Sequence, residues 1–486
     1  MIDALYLLPL AAVVALLASG RAKLLTAGIV GLALTLPAVW LARPGAGFGA
    51  FLLVESLRGA WIAWQAIAVI LAGLVFFQVI KAAQPALFAP AAATAEPRRI
   101  DFSHRELFAA CFLAAPFAES ATGFGVGAII AVSLLSRMGL GGVPAVVFAL
   151  FSQILVPWGA LAISTVVGAA LAHMPLAMLG ERSALLAAAI LLGDLAVFWL
   201  LCRRFHRPPR LGEAVDDLAW LAALALLLWL INRHASVEIA GLAATGTLLV
   251  LRYLRDHRPS PRELGLTLRR TAPYLALTLA LVATRLIAPL AHALRTVLPI
   301  QPAPDLPAFA PLYHVGAWLL LVALVYGWAM GVAPSWRGIL TATWRAGRIP
   351  TAVTLVFIVM AQLMAAAGIA GALARGWSAL AGSLALAATP VFGAVAGFLT
   401  GSNVASNGIM MPLQTALAAQ AGADPSWIAA IQNVAGADFT LLSPVRVAMA
   451  AALLGLGGAE REVYRRALPI GVVILIVLTA AAFILR

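Results

Sequence analysis

A chain of 486 residues that is 63% hydrophobic and only 10% charged lacks the polar surface that a water-soluble globule of this size would need, so a soluble fold is excluded. Its formal charge of +13 would suggest nucleic acid in a soluble protein, but the basic residues gather in a few loops, as they do at the cytoplasmic ends of membrane helices, and nucleic-acid binding is set aside. Many apolar runs reach the ~20 residues a helix needs to cross a bilayer, and the alternating segments of a β-barrel are absent, so the fold class is an all-α polytopic membrane protein.

The first run, 3–19, resembles a signal peptide in length, yet Asp3 precedes it and Arg21 and Lys23 follow it. That order predicts a first membrane helix with its N-terminus outside. Spans follow at 24–41 and 58–80, then a Pro/Ala-rich stretch, 82–105, carrying Arg98, Arg99 and Arg105. The next apolar sequence is broken into 106–119 and 123–137. A long segment, 143–173, is interrupted at Pro157-Trp158-Gly159, and the span 184–202 ends in Arg203, Arg204, Arg207 and Arg210. Two spans, 217–232 and 237–251, lead to the most basic loop, 252–270.

The second half begins with spans 271–292, 312–331 and 350–373. The Pro-rich loop 293–311 is nearly free of basic residues, whereas 333–349 carries Arg337, Arg345 and Arg348. A second broken pair, 377–399 and 404–421, precedes a long segment, 426–457, interrupted at Ser443-Pro444, and a last span, 467–485. Charge places loops 82–105, 203–216, 252–270, 333–349 and 458–466 in the cytoplasm and 293–311 outside. This is consistent only if both broken pairs are re-entrant hairpins, leaving about twelve spans with both termini periplasmic. Residues 1–205 and 271–486 then form two inverted-topology repeats, joined by a two-span linker, 206–270. Broken helices facing one another from inverted repeats are a transporter architecture.

The chemistry-bearing residues lie at the breaks. At the first tip, Glu119 is a charge that costs about 2.5–3.5 kcal/mol at bilayer depth on insertion scales. It must be protonated, paired or held by Ser120, Thr122 and tip amides, either as an ion-coupling group or as a cap on the next helix. Gly123, Gly125 and Gly127 allow close helix packing or backbone approach to an anion. At the second tip, Ser402, Asn403, Ser406 and Asn407 can hold carboxylate oxygens or Na⁺, and the half-helix from Val404 points a positive end inward. Pro157, with Gln153 and Ser164, and Ser443-Pro444 mark two further breaks. Near the latter lie Asn433, Asp438, Thr440 and Arg446, and Asp438 and Arg446 share a face if their helix is continuous.

Arg285, inside the span 271–292, is either a partner for a carboxylate substrate or a snorkelling cation. Asp194, and Glu55 with Arg58, read as structural or interfacial. Cys111 and Cys202 read as core hydrophobes, and His104, His206, His257 and His314 lack metal-ligand spacing, so neither a metal nor a cofactor is expected. The absence of a Walker loop or a nucleophile elbow argues against an ATPase or an enzyme.

These residues resemble the lactate permease family, bacterial inner-membrane symporters that move lactate and glycolate with protons. The family's Phe-x-Glu-Gly-x-x-Gly-Phe-Gly stretch is similar to Phe117, Glu119, Gly123, Phe124 and Gly125. Its Gly-Ser-Asp-x-x-Ser-Asn stretch resembles Gly401, Ser402, Asn403, Ser406 and Asn407, its Ser-Pro motif resembles Ser443-Pro444, and its Leu-Thr-Arg type of sequence resembles Thr284-Arg285. The likeness covers nearly the whole chain. Ser120 and Thr122 depart from it by replacing small residues, Asn403 replaces Asp, Thr440 replaces Lys, and Asp438 and Arg446 are additional charges.

The resemblance implies symport of a small 2-hydroxymonocarboxylate with H⁺, substrate contacts from Ser120, Thr122, Gly123, Ser402, Asn403, Ser406, Asn407, Ser443 and Arg285, and ion coupling at Glu119 or Asp438. It also implies a mobile transport domain on a static scaffold that forms a homodimer, in the bacterial inner membrane. Two rival expectations are Na⁺ coupling on the same scaffold and a passive anion channel.

Overall fold

The computed structural model describes residues 2–85, 102–123, 125–332 and 335–485. Much of the basic stretch 82–105, including Arg98 and Arg99, lies outside the described residues, as does Phe124 of the first tip. The described chain is helical, apart from turns and one antiparallel bridge between Ile300 and Phe309. Eight described helices are long and apolar enough to cross a bilayer, or up to eleven if each of three bent pairs is one span.

The first half holds α1 (Ile2–Ala18), α2 (Leu24–Ala42) and α3 (Phe48–Ala83), then α4 (His104–Ala109) and α5 (Ala115–Thr122), joined by a wide π turn at Ala110–Ala114. Ser103 and Glu106 form a reciprocal cap that starts α4. α6 (Val126–Arg137), α7 (Gly142–Leu150), α8 (Gly159–Leu171) and α9 (Leu176–Phe205) follow. The linker is α10 (Leu211–His234) and α11 (Val237–His257).

The second half holds α12 (Pro261–Leu286), α13 (Ala288–Thr296), α14 (Val315–Ala329), α15 (Trp336–Ala366), α16 (Ile369–Ala381), α17 (Thr389–Thr400), α18 (Asn403–Gln420), α19 (Pro425–Asp438), α20 (Pro444–Ala452) and α21 (Glu460–Ile484). Several expected elements differ. The loop expected at 333–349 lies largely within α15, which starts at Trp336, and the span expected at 350–373 ends at Ala366, before Gly368 (φ +79°) opens α16. The span expected at 271–292 ends at Leu286 and turns through 89° into α13, because Pro289 cannot continue the helix. The limb expected at 377–399 is two pieces bent by 109° around Gly382, whose positive φ ends α16.

The expected breaks fall where residue type demands them. Gly123 (φ +69°) and Gly125 (φ +80°) take the chain from α5 to α6 through backbone open to glycine. The segment around Pro157 bends by 57°, and just beyond it Ala160, Leu161 and Ala162 wind left-handed at φ +48°, +55° and +60°. Left-handed helix costs an L-residue roughly 1–2 kcal/mol, so this turn is strained and must be held by its surroundings. In the second half, Gly401 (φ +63°) ends α17 and Ser402 caps α18. Ser443 caps α20, with Pro444 at its first position.

Packing brings these breaks together. α5 lies against α6, α8 and α11, and α18 lies against α8, α15, α17 and α19. α20 touches α6 and α7, and the short turn 151–153 touches 439–442. α17 and α19 approach so closely that a Cβ on Gly397 would sit 2.1 Å from the Gly436 carbonyl oxygen, which fixes glycine there.

Candidate functional site

Glu119 is 2% exposed, in the last turn of α5. Its Oε1 accepts from the Gly125 amide at 3.2 Å and its Oε2 from the Gly127 amide at 2.9 Å, so the carboxylate closes over the N-terminus of α6. Arg446 Nη1 lies 3.2 Å from Glu119 Oε1, and Arg446 Nε donates to the Gly401 carbonyl at 3.4 Å. One guanidinium therefore ties the first tip to the second. Ser443 Oγ accepts from the Arg446 amide at 3.3 Å, setting the start of the half-helix that presents it. Of the two sequence readings of Glu119, the structure provides the cap, together with a cationic partner.

The second tip is built of amides. Asn403 Nδ2 donates to Ser164 Oγ at 3.0 Å and to Asn433 Oδ1 at 3.1 Å. Asn407 Nδ2 donates to the Ser164 carbonyl and to Asn433 Oδ1, both at 3.0 Å. Asn433 Nδ2 in turn donates to Thr165 Oγ1 at 3.0 Å and Ser183 Oγ at 3.1 Å. Ser406 Oγ accepts from Gln432 Nε2 at 3.1 Å, and Gln432 Oε1 accepts from Gln414 Nε2 at 2.6 Å. The network is buried and joins the second hairpin to α8 and α9. It leaves Asn403 Oδ1 without a partner, an acceptor aimed at close-packed Gly436.

Other expected residues are placed as follows. Thr122 Oγ1 donates to the Ala118 carbonyl at 2.7 Å, inside its own helix. Ser120 is buried with an unpartnered hydroxyl facing Gly241 of α11. Gly123 packs on Ala160, where an added Cβ would lie 2.5 Å from the Ala160 Cβ. Ser402 Oγ accepts from the Ala405 amide at 3.4 Å. Arg285 is in the last turn of α12, not within a longer span, because α12 stops one residue later. Its guanidinium pairs with Glu238 at 3.2 Å, donates to the Tyr313 carbonyl at 2.7 Å and stacks on the Tyr313 ring, and none of these partners belongs to a tip.

Asp438 and Arg446 do not pair. The turn 439–442 and the fresh start at Ser443 break the helical register between them, and Glu119 takes Arg446. Both oxygens of Asp438 are buried without a hydrogen-bond partner. Sequence reasoning named Asn433 without seeing that it is the hub of the amide network, and missed Gln432, Gln414, Thr165 and Ser183. The signal available was the run Ile-Gln-Asn in an apolar helix, two adjacent amides at bilayer depth. Among the described residues no group of three or more His, Cys, Asp or Glu side chains could hold a metal. A cleft of about 630 Å³ opens elsewhere, lined in part by Glu55, Arg58, His173 and Gln362. There Gln362 donates to Glu55 at 2.8 Å, and Arg58 pairs with Asp305 of the 293–311 loop.

This combination of long apolar helices, helices broken at small polar residues and a buried ion pair across the breaks defines a multi-pass helical membrane protein of the broken-helix class. Residues 274–486 match the family model described as L-lactate permease. The chain is 30% identical over 137 residues to an L-lactate permease of Halalkalibacterium halodurans, covering 28% of this chain and 26% of that one. It is 34% identical over 87 residues to an L-lactate permease of Bacillus subtilis, covering 18% of this chain and 16% of that one. The chain is thus similar to lactate permeases over part of its length, and it spans only about a quarter or less of these two relatives. A solved structure of Neisseria gonorrhoeae MtrF, described as illuminating a class of antimetabolite efflux pumps, aligns over 96% of both chains at 15% identity with a TM-score of 0.45, too low to carry an inference.

Proposed function

We propose that this protein is a secondary active transporter of a small organic anion, a lactate- or glycolate-like 2-hydroxymonocarboxylate, moved in symport with H⁺. The observation that carries the reading is Arg446, a buried guanidinium bonded to Glu119 and to the Gly401 carbonyl between the two broken elements. A substrate carboxylate can replace one of those acceptors with charge-assisted bonds of its own. The amides and hydroxyls of Ser402, Asn403, Ser406 and Asn407 lie next to Gly401 in the chain and offer donors for the remaining oxygens once the hairpin shifts. Glu119 acts as the resident counter-ion of Arg446, and Asp438, which has no cation partner among the described residues, carries the coupling proton.

On this reading the chain forms about twelve spans and two re-entrant hairpins in inverted repeats, with both termini periplasmic, in a bacterial inner membrane. The basic loops support that orientation, and the meeting of the two breaks supports the repeat.

The test is counterflow. Purified protein in proteoliposomes preloaded with L-lactate should accumulate radiolabelled L-lactate transiently above equilibrium. A channel gives no such overshoot. Uptake driven by an inward proton gradient in sodium-free buffer separates H⁺ from Na⁺ coupling. Lack of counterflow with both L-lactate and glycolate overturns the substrate class.

A further inference from the structure

Two buried aspartates lie outside both the Glu119–Arg446 pair and the amide network. Asp194 is 1% exposed in the middle of α9, and Asp438 is 2% exposed at the end of α19, the helix packed against it. Gly193, beside Asp194, packs on Val473 of α21, and Phe439, beside Asp438, packs on Gly471 of the same helix, so the two carboxyls sit at one level of the bundle. Both oxygens of Asp438 and Oδ1 of Asp194 are buried without a hydrogen-bond partner. From these observations we infer that Asp194 and Asp438 form a shared proton-binding site, one residue from each half of the chain, holding one proton between them. This deepens the transport reading and relies on it only for the proton's role in coupling.

Among the described residues of the elements packed around the pair, no cation is left free to neutralise it. α8, α17 and α18, the turn 156–158 and the turn 439–442 carry no ionisable side chain. On α9 itself, Glu181 and Arg182 lie at one end, where they pair with Arg233 and Asp424, and Cys202, Arg203 and Arg204 lie at the other. α10 brings Glu213, paired with Arg207; Asp216, paired with Arg255; Asp217, bonded to His104 and Trp199; and Arg233 and His234 at its far end. α11 brings Glu238, paired with Arg285, and Arg252, Tyr253, Arg255, Asp256 and His257 in its last turns.

α21 carries Glu460, Arg461, Glu462, Tyr464, Arg465 and Arg466 in its first two turns. Gly193 packs on Val473, and Gly471 packs on Phe439 and Leu442, so the pair is level with residues 471–473 of α21. From Arg466 to Gly471 is five residues, about 7 Å of helix rise. Two carboxylates buried at bilayer depth, with no cation beside them among the described residues, cannot both be ionised. The economical arrangement is one proton shared between two acids. Asp438 also immediately precedes the turn 439–442 that leads to Ser443 and Arg446, so a change of charge at the pair acts on the segment that presents Arg446.

The test reads the proton directly and needs no substrate. Full-length protein in lipid is titrated by infrared difference spectroscopy, with deuterium exchange identifying the C=O stretch of protonated carboxylic acids. The wild type should show a buried carboxylic-acid band at neutral pH, and Asp438→Asn, which leaves Asp194 as the one remaining acid, should keep a band with its midpoint shifted by at least one pH unit. Asp194→Asn should shift the midpoint of the remaining band by at least one pH unit, a tenfold change in proton affinity. Asp438→Glu and Asp194→Glu, which keep the acid, should retain the band, and they decide the matter if either Asn variant does not fold.

A band unchanged in both Asn variants, or absent from the wild type, overturns the pair. A band that disappears on adding Na⁺ at fixed pH overturns the proton as its occupant. L-lactate counterflow is measured on the same preparation. Counterflow without the band sinks the pair and leaves the transport reading standing, whereas the band without counterflow does the reverse.

Discussion

Breaking the Glu119–Arg446 pair from one side should be far more harmful than removing it from both. The carboxylate is 3% exposed and the guanidinium 12% exposed, so neither charge can be rescued by water. Glu119→Gln leaves Arg446 with only the 3.4 Å bond to the Gly401 carbonyl from its side chain. Arg446→Gln leaves the carboxylate with two amide bonds and no counter-charge. Truncating one partner of a buried pair costs about 3–5 kcal/mol, whereas a neutral replacement of both costs much less. The double variant Glu119→Gln/Arg446→Gln should therefore be more stable than the sum of the single effects by about 2 kcal/mol or more. Unfolding in detergent, followed by tryptophan fluorescence for all four proteins, gives the cycle. Single-variant costs that add to within about 0.5 kcal/mol would refute the pairing, since independent sites behave that way.

Asn433→Ala removes two accepted and two donated hydrogen bonds. At roughly 0.6 kcal/mol each inside a membrane protein, the loss is about 2 kcal/mol, readable as a lowered unfolding midpoint; a loss under about 0.5 kcal/mol contradicts the network. Ala162→Gly should be nearly neutral, because relief of left-handed strain offsets the lost methyl, whereas Ala169→Gly in the right-handed part of α8 should cost about 1–2 kcal/mol. Equal costs in thermal unfolding would argue against the left-handed turn. Asp424, which caps α19, resists ionisation through burial, yet bonds from Ser426 and the charge of Arg182 hold its carboxyl below the usual carboxylate range. Its stabilising contribution is present above the unfolded value of about 4 and is lost as pH falls through the lower folded value. Asp424→Asn should lower stability at neutral pH and flatten the acid limb of a stability-against-pH curve, so that variant and wild type converge at low pH.

The breaks were legible in the sequence because each rests on a local rule. Gly123, Gly401 and Ser443-Pro444 are residues that end or start helices regardless of neighbours, and the structure breaks at each of them. The partners across the breaks were not legible. Asp438 and Arg446 stand eight apart and invite pairing, but a turn between them breaks the helical register, and Glu119, 327 positions distant, takes the arginine. Arg285 read as a charge within a span because Pro289 was not weighed as a stop. The amide hub at Asn433 is a tertiary fact, since an asparagine in an apolar helix declares that it needs partners without declaring which. The bend at Gly382 escaped notice because the sequence around it is alanine-rich and offers no change of hydropathy to mark it.

The meeting of Gly123 with Ala160 makes two positions answer to one another. Each methyl-sized space in that corner has a single tenant, and the alanine already holds it, at the start of the turn that coils the wrong way. A side chain acquired at 123 would collide there, and a bulkier one at 160 would collide from the other side. Drift at these two sites must therefore be concerted, so a homologue that carries anything but glycine at the first position should show a smaller or reshaped residue at the second.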